Sequence, residues 1–304
     1  MIFHVGDVSA APTVSFEFFP PKTEEMEQRL WETIVELAPL RPAFVSVTYG
    51  AGGTTRERTH ATVRRILKET SLTPAAHLTC VGASRAAVDE VARAYWESGV
   101  RHIVALRGDP PQGSTVYAPY PGGYAYANEL VEGLRRVGDF EISVAAFPEK
   151  HPESPSFEQD MEVLKRKVDA GATRAITQYF FDADLFYRFM ERVEKAGIKI
   201  PIVPGILPIG NFAQVLKFSH MCGASVPPWL HEMFDGLDGQ PVTRNLVAAY
   251  VAVEQCRKLQ QQGVRQFHFY TLNRADLTAA VCHVLGVRRQ ADARAEPTRE
   301  TAQG

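Results

Sequence analysis

Short β-branched or aromatic runs alternate with amphipathic stretches along nearly the whole chain, the pattern that parallel βα units leave in a sequence. Eight runs predict strands: Val14 to Phe19, Phe44 to Thr48, Ala75 to Cys80, His102 to Arg107, Glu141 to Phe147, Arg174 to Phe181, Pro201 to Ile206 and Gln266 to Leu272. Each is followed by a helix-like segment. After the sixth, Leu185, Phe186, Phe189, Met190 and Val193 recur at spacings of three and four, which gathers them on one helix face that can pack on a sheet. Gly99, Gly138, Gly171, Gly197, Gly263 and Gly286 each follow a helical stretch, where a left-handed residue closes the last turn without a Cβ penalty. Ser84 and Ser156 are placed to cap helices, the second with Gln159 in capping-box spacing.

Eight repeats suit an open doubly wound sheet or a closed barrel, and periodicity does not separate the two. The count favours an α/β fold of the (β/α)8 TIM barrel class, as a single domain. At about 150 residues per domain, 304 residues would suggest two domains, but one barrel commonly takes about 250. The barrel is expected over residues 1–287. Residues 288–304 are polar, lack apolar periodicity and read as a disordered tail.

Composition narrows the function. Hydrophobic residues make up 45% of the chain, enough for a substantial core. With 33 Lys and Arg against 35 Asp and Glu, the formal charge of -2 gives no field that would draw the protein to nucleic acid or anionic lipid. Cys80, Cys222, Cys256 and Cys282 stand alone, with no zinc or disulfide spacing. No HExxH or other histidine pair at metal spacing occurs, so no metal is expected. Apolar runs such as Leu246 to Val253 fall short of the ~18 residues of a membrane span. Met1 to Ala11 lacks a leader pattern, and a reduced cytoplasmic setting is expected.

In a barrel, side chains at the carboxyl ends of the strands converge on one mouth. Those positions hold Glu17, Thr48 with Tyr49, His77, Arg107 with Asp109, Phe147 with Glu149 and His151, Gln178, and Asn273 with Arg274. Glu17 interrupts an apolar strand among phenylalanines. Burial there would raise its pKa and make it a general acid near neutrality, the plainer alternative being a strand glutamate paired with an arginine inside the barrel. Arg107-Gly108-Asp109 brings a fixed cation, a flexible step and a carboxylate to one strand end, suited to a polar ring or phosphate, or to an ordinary salt-bridged turn. His77, in an apolar strand, reads more readily as a hydrogen-bonded core residue than as a metal ligand. Gly50 to Thr55 begins like a dinucleotide fingerprint but has Thr55 where Gly or Ala is needed. Lys165-Arg166-Lys167 reads first as a solvated helix face, and Phe218 as core. No GKS/GKT phosphate loop and no GxSxG elbow is present.

Taken together, the motifs resemble methylenetetrahydrofolate reductase. The resemblance rests on SFEFFPPKT (Ser15 to Thr23), FVSVTYGAGG (Phe44 to Gly53), AHLTC (Ala76 to Cys80), HIVALRGD (His102 to Asp109), KRKVDAGA (Lys165 to Ala172), AITQYFFD (Ala175 to Asp182), PGILP (Pro204 to Pro208) and FHFYTLNR (Phe267 to Arg274), in order across the chain. It implies a barrel with noncovalent FAD at the strand ends. NADH or NADPH would reduce the flavin, which 5,10-methylenetetrahydrofolate reoxidises in a ping-pong scheme that serves one-carbon and methionine metabolism.

By matching motif positions, Glu17 is the acid that helps open the imidazolidine ring to an iminium, and Asp109 contacts the pterin and tunes the flavin. Gln178 is shared by folate and nicotinamide, and Thr48 faces the nicotinamide. Tyr49, Ala51, His77, Arg107, Gly108, Asp109, Tyr126, Ala127, Phe147, His151, Asp160, Arg166 and Lys167 would line the FAD site. Gln214, Phe218 and Arg274 would lie near folate or nucleotide. Phe147 stands where many members place tyrosine, so that hydroxyl is missing, and the loop Gln112 to Tyr124 is longer than in some bacterial relatives. No C-terminal regulatory domain is expected. The resemblance also suggests a homo-oligomer, for which the helix Leu246 to Leu259 offers a contact surface or an internal face. Two alternatives use the same features: a flavin-free pterin or folate barrel such as a methyltransferase, and a noncatalytic barrel that only binds folate or flavin.

Overall fold

A computed structural model describes residues 10–49, 56–110 and 116–290. Nine parallel strands in these residues form one sheet: β1 Thr13–Phe18, β2 Val45–Val47, β3 Pro74–Thr79, β4 His102–Leu106, β5 Glu141–Ala146, β6 Arg174–Thr177, β7 Ile202–Val203, β8 Gly205–Ile206 and β9 Gln266–Tyr270. Their order is β7-β6-β5-β4-β3-β2-β1-β9-β8. Because β7 and β8 are separated only by Pro204, the two ends of this list meet and the sheet curls into a nearly closed single-domain barrel. The expected seventh strand is thus split in two. Proline has no N–H for the ladder, so the chain leaves β6 before it and joins β9 after it.

Ten α-helices surround the barrel among the described residues: α1 Glu24–Leu37, α2 Arg56–Glu69, α3 Arg85–Glu97, α4 Ala127–Val137, α5 Phe157–Asp169, α6 Ala183–Lys195, α7 Phe212–Cys222, α8 Pro228–Phe234, α9 Pro241–Gln261 and α10 Ala275–Val284. Ser84 and Ser156 cap α3 and α5, accepting from the N–H of Ala87 and Gln159. Five of the six expected helix-ending glycines have positive φ. Gly138 is the exception: its backbone is extended, and it is there because a Cβ would lie 2.6 Å from the Trp96 ring.

Strand alternation sorts the side chains into two environments. Phe16, Phe18, Phe267 and Phe269 join the main core under the helices with Leu30, Ile34 and Val281. The opposite face lines the barrel interior and carries Ser15, Glu17, Ser46, His77, His102, Ser143 and His268 beside the small apolar cluster Phe44, Ala75, Val104 and Ile176. α9 is divided as well. Val251, Ala252, Cys256 and Leu259 are buried, while Val242, Leu246 and Tyr250 form an exposed stripe four residues apart. At the C-terminal end of the described chain, Arg289 pairs with Glu36 at 3.1 Å and the Gln290 N–H donates to the Pro39 carbonyl. No helix of the described residues is long and apolar enough to cross a membrane.

Candidate active site

Glu17 does not sit among phenylalanines. The flanking Phe16 and Phe18 point away to the helix side, and Glu17 enters the barrel interior between two histidines. Its Oε2 lies 3.3 Å from His77 Nε2 on β3 and 3.6 Å from His268 Nε2 on β9, with the Ser46 hydroxyl donating from 3.5 Å. His268 is anchored on its other side, where Nδ1 is 2.8 Å from Ser15 Oγ, and its ring stacks on Phe44 at 5.6 Å.

This overturns the expectation of a raised pKa. Burial alone would raise it, but the His268 and His77 imidazoles set against its Oε2, and their charge, overcome burial and hold Glu17 at about 2. The pairing partner is also histidine, not the arginine of the plainer alternative. Burial in turn pushes the pKa of His268 down, with Glu17 opposing. Glu17 is the member of the trio that reaches the mouth: its side chain is 19% exposed, against 8% for His77 and 0% for His268.

The lowered pKa has a measurable consequence. A carboxyl held below its ordinary 4.5 contributes stability that is complete above that value and is lost as pH falls toward about 2. That contribution is on the order of 3 kcal/mol. Urea unfolding at pH 6 and pH 3 should therefore show wild type losing more stability on acidification than Glu17→Gln. Equal losses would mean that the histidines do not hold the carboxylate.

A second group gathers where β4 and β5 end. Arg107 makes a bidentate pair with Glu153, at 2.5 and 3.0 Å, and its guanidinium lies 4.2 Å over the Tyr117 ring. The expected turn pairing with Asp109 is not the one that forms, and Asp109 is exposed. Gly108 takes φ 88°, and a Cβ on it would meet Val81 Cγ1 at 2.5 Å, so this step can be nothing larger. Tyr117 donates to the Ala125 carbonyl at 2.6 Å and faces Tyr126, half exposed just before Ala127 opens α4. The His151 ring packs edge-on against Phe147 at 4.8 Å and its Nδ1 accepts from the Glu153 N–H, while the His151 backbone N–H donates to Asp160, which also accepts from Ser154. Burial, then Arg107, pushes the pKa of His151 down.

The basic run in α5 is divided. Lys165 pairs with Asp169 four residues on, and Arg166 is exposed, as a solvated face requires. Lys167 is buried, donates to the Ala145 carbonyl at 2.5 Å, and is lowered to about 8 by burial.

The far side of the mouth holds the remaining positions. Gln178 follows β6, accepts from the Tyr179 N–H at 3.0 Å, and lines a small pocket with Phe147, Glu149, Tyr179 and Cys222. Arg274 Nη1 would be 2.8 Å from a Cβ on Gly210, which places it beside the start of α7. Gln214 is exposed in the first turn of α7 and Phe218 half-buried further along, so neither is core. Thr48 and Tyr49 follow β2; the Thr48 carbonyl accepts from Thr59. Ala51 and the glycine-rich loop lie outside the described residues, as do residues 112–115 of the long loop.

Sequence reasoning missed His268, Tyr117 and Glu153. His268 was legible by the argument used for Glu17, a polar residue interrupting the aromatic strand Phe267-His268-Phe269. Nothing local marked the other two.

The family model for methylenetetrahydrofolate reductase matches residues 4–286. The chain belongs to the methylenetetrahydrofolate reductase family. The 5,10-methylenetetrahydrofolate reductase of Pectobacterium carotovorum subsp. carotovorum is 54% identical over 286 residues, covering 93% of each chain. That of Escherichia coli strain K12 is 51% identical over 284 residues, covering 93% of this chain and 94% of its own. Among solved structures, an uncharacterized Clostridium thermocellum protein that binds two copies of 5-methyl-5,6,7,8-tetrahydrofolic acid shares the fold, with TM-score 0.60, 15% identity and coverage of 90% and 94%. Family membership makes this chain an oxidoreductase of folate metabolism.

Proposed function

We propose that the protein reduces 5,10-methylenetetrahydrofolate to 5-methyltetrahydrofolate at this mouth, with noncovalently held FAD and with NADH or NADPH as reductant. The observation that carries the reading is the placement of Glu17, an acid held between two histidines near the carboxyl end of β1 in a reductase-family barrel and more exposed than either of them.

The donor set suits a phosphate-bearing ring cofactor. Arg107, His151 and Lys167 supply cationic or N–H donors, while Tyr117, Tyr126 and Phe147 supply aromatic faces around them. With them, Tyr49, Ala51, His77, Gly108, Asp109, Ala127, Asp160 and Arg166 would hold the flavin. Bound FAD supplies a two-electron carrier between pyridine nucleotide and folate. Thr48 and Gln178 orient the nicotinamide, and Gln178 with Asp109, Gln214, Phe218 and Arg274 orients folate, so one face receives both substrates in turn.

Glu17, His77 and His268 hold a proton as a unit, and Glu17 hands it to the departing ring nitrogen as the imidazolidine opens. Filling the mouth with flat rings strips water from Glu17, which favours its protonated form. The methylene carbon, now an iminium, takes the hydride, and Glu17 regains its proton from solvent through the unit.

The catalytic unit extends to Arg289 and Gln290, which still bond Glu36 and Pro39, three residues beyond the boundary at 287 expected from the sequence, and the exposed stripe on α9 supports a homo-oligomer. The reading is tested by purification. The protein should be yellow, release FAD on denaturation and oxidise reduced pyridine nucleotide in the presence of methylenetetrahydrofolate; a colourless protein that does not take up FAD would refute it.

A further inference from the structure

Among the described residues the barrel's ladder has one open seam. β7 pairs with β6 at Ile176 and Val203, whereas Gly205 and Ile206 pair with His268 and Phe269 of β9, so β6 and β8 part at Thr177. Thr177 is the last residue of β6 and the one before Gln178. Two bonds close the seam. The Gly205 N–H donates to Thr177 Oγ1 at 2.9 Å, and the Tyr270 hydroxyl donates to the Thr177 carbonyl at 2.7 Å.

Tyr270 leaves β9 at the position in register with Glu17, so its side chain crosses from the acid's side of the barrel to the side of Gln178. The ring is seated edge-on against His268 at 5.4 Å and against Tyr179 at 6.2 Å. Gly205 is its socket. A Cβ there would lie 2.5 Å from Tyr270 Cε2 and 2.3 Å from the Thr177 carbonyl oxygen. Burial keeps the phenol protonated and therefore a donor.

The geometry points to Tyr270 as a positioning residue: its hydroxyl fixes the end of β6 and thereby sets Gln178 opposite Glu17 across the mouth. The inference rests on the reading of Gln178 as the residue shared by folate and nicotinamide. A bond that merely stiffened the barrel would alter stability without selecting substrate contacts.

Tyr270→Phe keeps the ring and removes only the donor. We expect KM for methylenetetrahydrofolate and for the pyridine nucleotide each to rise about three- to tenfold, the range one hydrogen bond spans, with kcat and flavin content little changed. On a Gln178→Ala background the same change should add nothing further, since the positioned group is gone. Amide exchange over residues 177–179 should quicken while β3 and β4 keep their protection. Unchanged KM values, effects that multiply in the double variant, or unchanged exchange at 177–179 would each overturn the inference. A wild type that turns over no folate would refute the proposed function instead. The exchange measurement would still decide whether Tyr270 holds the end of β6.

Discussion

Glu17→Gln should abolish folate reduction while leaving flavin reduction by NADH or NADPH close to wild type. Glutamine keeps the size and still presents a carbonyl oxygen to His77 and His268 but has no acidic proton to give. Only the folate half-reaction breaks a carbon–nitrogen bond and needs an acid there. General acid catalysis contributes on the order of 10²- to 10⁴-fold, so the loss should fall in that range. Rapid mixing under anaerobic conditions separates the halves: flavin bleaching on adding pyridine nucleotide, and recovery of absorbance on adding methylenetetrahydrofolate. Parallel loss of both would mean that Glu17 supports the flavin or the barrel rather than the proton transfer.

The second large effect concerns cofactor retention. Arg107→Ala should weaken FAD binding by on the order of 100-fold, as expected when a charge-assisted, bidentate-capable donor is lost. The guanidinium lies between the Tyr117 ring and Glu153, so truncation also leaves the aromatic face without its cation. Folding should be little affected, because Glu153 is 45% exposed and pairs at the surface contribute little. Arg107→Lys should recover only part of the affinity, since an ammonium cannot form the planar fork. Fluorescence titration of the apoprotein with FAD measures this, and wild-type affinity in Arg107→Ala would remove Arg107 from the flavin site.

The sequence made the strand ends legible because a barrel brings separated strand motifs to one mouth, and all but one of the eight motifs include a strand; the exception, Lys165 to Ala172, closes α5. Glu17 stood out as a charge in an apolar run. Its protonation behaviour did not, because that depends on His268, more than 250 positions away, and on which strand face the phenylalanines take. A single strand read in isolation places Phe16, Glu17 and Phe18 together; the pleat separates them. The same limit hid Glu153, which reaches Arg107 from a different loop. Strand lengths were overestimated where β-prone residues run past the sheet. Gln178 to Phe181 continue the pattern of β6, but the ladder stops at Thr177 because Pro204 diverts its neighbour.

In the proposed reaction one mouth passes reducing equivalents from pyridine nucleotide to a one-carbon folate through a flavin, with the acid supplied by the Glu17 cluster. The most direct measurement is a single turnover of the purified wild-type protein, in which flavin first reduced by a stoichiometric amount of pyridine nucleotide is mixed anaerobically with methylenetetrahydrofolate. The oxidised flavin band should return in full, with formation of one equivalent of 5-methyltetrahydrofolate. Flavin that stays reduced, or that is reoxidised with no methyl product, would contradict it.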